Sequence, residues 1–147
     1  MSPPLGFRSA MLRCARMLSD EVNTLLIPYQ LNYSLWQVMY VIQEMNGCTS
    51  IEIAEILNVS KPSIAKRIHI LIQQNIVMQV ETDDKRQKKM VLTATGLKLY
   101  EQCSKEIDLL EQQLLHPFLA TQIDVSTQLM NDLIDILNVR KIGATHD

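Results

Sequence analysis

Helical periodicity runs through this chain from Met11 to Leu137 and lapses in one window, where the runs Ile76 to Glu81 and Lys89 to Leu92 flank the polar loop TDDKRQK. The two runs read as short strands and the loop as their connection. A chain that is helical on both sides of a single hairpin is confined to mostly α folds in which one small β element packs on a helical body.

The helices ahead of the hairpin carry readable boundaries. Ser34-Leu-Trp-Gln37 and Thr49-Ser-Ile-Glu52 both fit the capping box, in which a hydroxyl takes a backbone N–H of the first turn and the side chain three residues on reaches back. They predict helices from Leu35 to Met45 and from Ser50 to Leu57. A third start is Ser60, with Pro62 tolerated in the first turn because its missing N–H has no intrahelical partner there. That helix is expected from Lys61 to about Gln74. Asn58 and Asn75 follow two helix ends, where a left-handed backbone is usual and Asn is the best substitute for Gly.

Longer apolar seams lie at the two ends. Met11, Ala15, Leu18, Val22, Leu25 and Tyr29 alternate steps of four and three. Tyr100, Cys103, Ile107, Leu110 and Leu114 repeat the pattern, and Leu129, Leu133, Ile136 and Leu137 continue it beyond His116-Pro117. Seams of this kind need a partner surface, and a second copy of the chain is the simplest source. Helix, short turn, helix and hairpin is the winged helix-turn-helix order. The fold class is therefore mostly α with a small β-hairpin wing. A winged helix-turn-helix lobe is expected over about residues 35–96 and dimerisation helices over about 5–30 and 96–140, in one domain spanning 1–147.

Charge is distributed unevenly along this order. Between Val59 and Leu92 seven cations face three carboxylates, a net +4, while the remaining seven cations and thirteen carboxylates leave −6. A field acts locally, within a Debye length of about 8 Å at physiological salt, so the formal net charge of −2 does not describe the basic face. Such polarity suits a polyanion held on one side. On the Lys61 helix Ile64, Ile68, Leu71 and Ile72 form the expected buried stripe, leaving Lys61, Ser63, Lys66, Arg67, His69 and Ile70 outward, where a helix in a major groove meets base edges. Ser60 and the free N–H groups of that first turn suit a phosphate. In the hairpin, Arg86 is the residue for a narrow minor groove, with Lys85, Lys88 and Lys89 on flanking phosphates. A merely solvated face and solubilising lysines are the plainer alternative for the same residues.

The stretch DDKRQKKMVLTATG resembles the wing of the MarR family of bacterial transcription regulators, with Asp84, Arg86, Met90, Leu92, Thr93 and Gly96 in the family's places. IAEILNVSKPSIAKRIHILIQQNIV is similar to its helix-turn-helix in Ala54, Leu57, Val59, Ser60, Ile64, Arg67, Leu71 and Ile76. The family commonly has Gly where Asn58 and Asn75 stand, and Val or Ile in place of Met90. The resemblance implies a homodimer on double-stranded DNA, with Asp84 bracing Arg86 through a bidentate pair. It also implies a small aromatic or phenolic effector, in a pocket to which Arg13, Arg16, Tyr33, Trp36, Met39 and Tyr40 are candidates; core packing explains Trp36 and Met39 equally well. Some relatives sense oxidants through a cysteine near the start of helix one, which makes Cys14 a candidate for redox control.

Other classes fit poorly. Four glycines, no nucleophile elbow and no phosphate loop argue against an enzyme and against a cofactor. His69, His116, His146 and three scattered cysteines contain no metal-ligand spacing. No apolar run approaches the roughly 18 residues of a spanning helix, so a cytoplasmic protein without a membrane partner is expected. A winged helix that binds protein and no DNA remains an alternative, whose mark would be a neutralised wing.

Overall fold

In the computed structural model, which describes residues 4–84 and 86–146 (side chains only as far as residue 143), the elements run α1 (Phe7–Leu26), a 3-10 turn (Ile27–Tyr29), α2 (Tyr33–Glu44), β1 (Cys48–Thr49), α3 (Ser50–Leu57), α4 (Lys61–Gln73), β2 (Val77–Glu81), β3 (Lys88–Leu92), α5 (Ala94–Leu115) and α6 (Ala120–His146). The class expected from the hairpin and the caps is the class observed.

The boundaries have local causes. Thr49 closes a full capping box on α3, its hydroxyl accepting from Glu52 N–H at 3.2 Å while Glu52 Oε1 accepts from Thr49 N–H at 3.0 Å. Ser60 caps α4 by accepting from Ser63 N–H at 3.3 Å. Asn58 and Asn75 both have φ 59, left-handed as their positions predict. The expected Ser34 cap is not formed. Asn32 takes the role instead, its extended backbone aiming Oδ1 at Leu35 N–H, 2.9 Å away, so α2 starts two residues earlier. Asn23 of α1 fills the remaining need, accepting from Tyr33 N–H at 2.7 Å.

The sheet is antiparallel with order β1-β3-β2, and Met78 pairs with Val91 and Val80 with Lys89 across the hairpin. The sequence pattern holds no sign of β1, because two residues are too few to show an alternation. It nonetheless ties the front of α3 to the wing through Cys48 opposite Met90 and Thr49 opposite Lys89.

A second tie joins the end of α4 to the start of α5. Thr93 N–H donates to the Ile76 carbonyl at 2.9 Å, its hydroxyl donates to the Asn75 carbonyl at 2.6 Å, and the hydroxyl oxygen accepts from Gly96 N–H at 2.9 Å. Gly96 lies so close to the Ile76 carbonyl that a Cβ would overlap it. This is the physical content of the Leu-Thr-x-x-Gly pattern.

The chain divides into two compact units, Met1–Ile107 and Asp108–Asp147. The first holds a core in which Leu26, Met39, Ile42, Ile53, Ile64 and Leu71 are fully buried. In the second, no described side chain is buried. Along the terminal seams Val22 and Cys103 are buried, Met11, Leu25, Tyr29, Tyr100, Ile107, Leu110 and Leu133 half-buried, and Ala15, Leu18, Leu114, Leu129, Ile136 and Leu137 exposed.

Candidate nucleic-acid interface

Three apolar residues of α4, Ile64, Ile68 and Leu71, hold the helix on the core, and Ile72 is half-buried beside them. Their stripe leaves Lys61, Ser63, Lys66 and His69 exposed, as expected, along with Ala65. Ala65 was legible from spacing, since positions 61, 65 and 69 lie on one face. It carries no polar group to draw notice, though an exposed methyl is of a kind that can pack against a thymine methyl. Ser60 is exposed at the cap, with its hydroxyl donating to Ser63 Oγ at 2.9 Å.

Arg67 departs from the expected outward set. It is half-buried, and its Nη1 donates to the Ser34 carbonyl at 3.4 Å. The apolar stripe fixes the face of short side chains, whereas a long one on its flank can turn inward and reach a backbone acceptor. Ile70 is half-buried as well.

The wing tip folds on its own polar groups. Thr82 Oγ lies 2.7 Å from the Asp84 carbonyl and 2.9 Å from that of Gln87, and Gln87 N–H donates to the Asp84 carbonyl at 3.0 Å. Asp84 does brace Arg86, but through the backbone: its Oδ1 accepts from Arg86 N–H at 3.0 Å, where a bidentate pair with the guanidinium was expected. An Asx turn of this kind fixes the backbone and leaves the side chain to project. Arg86 and Lys88 are exposed, while Lys85 lies outside the described residues.

Lys89 belongs to the wing's root. It is half-buried, and its aliphatic stem lies over Gly47, where φ is 93 and a Cβ would strike both that stem and Val91. Its charge is felt by Glu52, whose carboxyl is held below the usual range first by the Thr49 N–H, then by the Thr49 hydroxyl, with Lys89 adding to both. Burial pushes the Cys48 thiol up to about 11, with Glu52 raising and Lys89 lowering it further.

The effector candidates divide by exposure. Arg13 and Arg16 on α1 and Tyr33 and Tyr40 on α2 are exposed, whereas Met39 and Trp36 are buried. Trp36 stacks on Tyr100 with ring centroids 4.9 Å apart and planes within 8°. An open hollow of about 480 Å3 lies elsewhere, between the end of α5 and the start of α6, lined by Asp108, Gln112, His116, Phe118 and Ile123. Cys14 is exposed, and Cys103 is buried, its thiol pushed up to about 11 by burial and then by Glu106. Among the described residues no group of His, Cys, Asp or Glu could hold a metal ion, and no helix is long and apolar enough to cross a membrane.

A cationic helix edge beside a braced hairpin defines the DNA-binding winged-helix class. The sequence model of the MarR family matches residues 31–88. The HTH-type transcriptional regulator YwoH of Bacillus subtilis is 33% identical over 104 residues, covering 71% of this chain and 76% of that protein. The chain belongs to the MarR family of transcription regulators, and its winged helix is the DNA-binding part. Among solved structures, Staphylococcus aureus MarR in complex with salicylate and kanamycin superposes with a TM-score of 0.81 at 25% identity, covering 89% of each chain. In fold the chain is also similar to S. aureus MepR in a DNA complex, with a TM-score of 0.80 at 16% identity over 91% of this chain and 99% of that one.

Proposed function

We propose that this chain is a ligand-responsive repressor that acts as a homodimer on a pseudo-palindromic operator. The observation that carries the reading is the exposed edge of α4, Lys61, Ser63, Lys66 and His69 behind the Ser60 cap, set beside a wing tip whose backbone is fixed and whose Arg86 projects. Two recognition helices would enter successive major grooves about 10 bp apart, with the wings in flanking minor grooves. Lys85 and Lys88 would stand near phosphates and Lys89 would hold the wing's root. The exposed apolar side chains of α6 support a second copy as partner. The cytoplasm is the compartment this reading places it in.

The test is selection of duplexes from a random pool, followed by anisotropy titration across a salt series. The expected product is a palindromic motif with half-sites one turn apart. Arg86→Ala should weaken binding to it by roughly tenfold to a hundredfold per contacted site while the oligomer persists. Unchanged affinity and salt slope in that variant would remove Arg86 from the interface.

For the effector, the salicylate bound by S. aureus MarR supports a small phenolic acid. Arg13, Arg16, Tyr33 and Tyr40 would provide exposed polar groups, while Trp36 and Met39 are buried in the core. Salicylate at millimolar concentration should lower DNA affinity in the same titration. Cys14, the exposed thiol, favours redox control as the second reading; peroxide should then release DNA from the protein but not from its Cys14→Ser variant.

A further inference from the structure

Arg67 and Gln74 stand seven residues apart on α4 and its cap, two helical turns on one flank. Both turn away from the exposed cationic edge. Arg67 Nη1 donates to the Ser34 carbonyl at 3.4 Å, and Gln74 Nε2 donates to the Gln30 carbonyl at 3.2 Å. These two acceptors bracket the link that joins the 3-10 turn to α2.

That link is fixed from other directions too. Gln30 is left-handed at φ 58, a conformation a residue with a Cβ keeps only where its surroundings impose it, and its N–H donates to the Ile27 carbonyl at 3.0 Å. Asn23 holds the Tyr33 N–H at 2.7 Å. The recognition helix is thus mounted, by two of its own side chains, on a stretch of backbone that Asn23 of α1 holds in place.

We propose that Arg67 and Gln74 are positioning residues, which set the angle of α4 against the α1–α2 link, and that Arg67 serves DNA recognition through this mount and not through a phosphate. The proposal rests on the DNA-binding reading of α4.

The two roles for Arg67 leave different marks. A lost phosphate contact weakens specific and non-specific binding alike and reduces the salt slope by about 0.9. A tilted helix loses base contacts and keeps its charge-driven attraction. Arg67→Met and Gln74→Met should each weaken binding to a duplex selected by the wild-type protein by roughly tenfold, with binding to a scrambled duplex and the salt slope unchanged. Without DNA, amide hydrogen exchange over residues 30–35 should quicken in both variants. Equal losses on both duplexes, a shallower slope for Arg67→Met, or a silent Gln74→Met with unchanged exchange would each overturn the mount. A wild-type protein that selects no duplex would instead count against the DNA reading, and the exchange measurement would still decide the mount.

Discussion

Helices α2 and α6 are both rich in large apolar side chains and use them in opposite ways. In α2, Leu35, Trp36, Val38, Met39, Val41 and Ile42 are all buried. In α6, Val125, Leu129, Met130, Ile134, Ile136 and Leu137 are all exposed. Full burial of one such side chain contributes about 1.5–3 kcal/mol, so α6 leaves roughly 10 kcal/mol of potential stabilisation unused in the single chain. The lobe around α2 is a folded object in its own right, whereas the terminal helix needs a surface from outside it, and in the proposed dimer the second copy provides that surface.

Substitutions should separate the two regions. The largest effect is expected from Leu110→Glu in the late seam: at micromolar concentration sedimentation should find no dimer, while the lobe keeps its DNA-facing helices. A dimer of undiminished stability would take the seam out of the interface. Next comes Gly96→Ala in the lobe, where the added Cβ meets the Ile76 carbonyl. It should lower unfolding free energy by about 2–4 kcal/mol, read by urea titration, with the oligomer intact. Asn32→Ala should cost about 1 kcal/mol as a lost cap, and Ser34→Ala within ±0.5, a direct comparison of the two candidate caps; equal costs would undo the assignment.

At neutral pH the smallest effect is that of the buried thiols, which emerges only in alkaline solution. Cys48 and Cys103 keep their protons to about 11 in the folded chain, while in the unfolded chain thiols ionise near 8.5. The folded state then binds more protons above that value. Stability contributed by the buried thiols is complete below about pH 8.5 and is lost as the pH rises through about 11. The urea midpoint should fall across that window, and less so in a variant with Ala at both positions. Alkylation at neutral pH should reach Cys14 long before either.

What the sequence revealed was what neighbours in the chain decide among themselves. The Thr49 box, the Ser60 cap, the left-handed Asn58 and Asn75 and the hairpin strands, each within a residue, depend on contacts a few positions apart, so spacing exposes them. What it hid depends on partners remote in sequence. Asn32 competes with Ser34 for one helix start, and the contest is settled with help from Asn23 of another helix. Lys89 reads as a surface cation until the bare backbone of Gly47 gives its stem a place to lie. Arg67 reads as an outward cation until the Ser34 carbonyl, 33 positions away, comes within reach of its Nη1. Of the candidate site, the exposed edge of α4 was visible and the inward turn of its longest side chain was not.

Among the described residues, the hydrogen bonds at the wing tip run between Thr82, Asp84, Arg86 and Gln87. A loop that folds on its own terms can change its outward residues at little cost to the rest of the protein. In the proposed DNA complex the tip is therefore where an engineer could exchange one groove-reading sequence for another while leaving the body untouched.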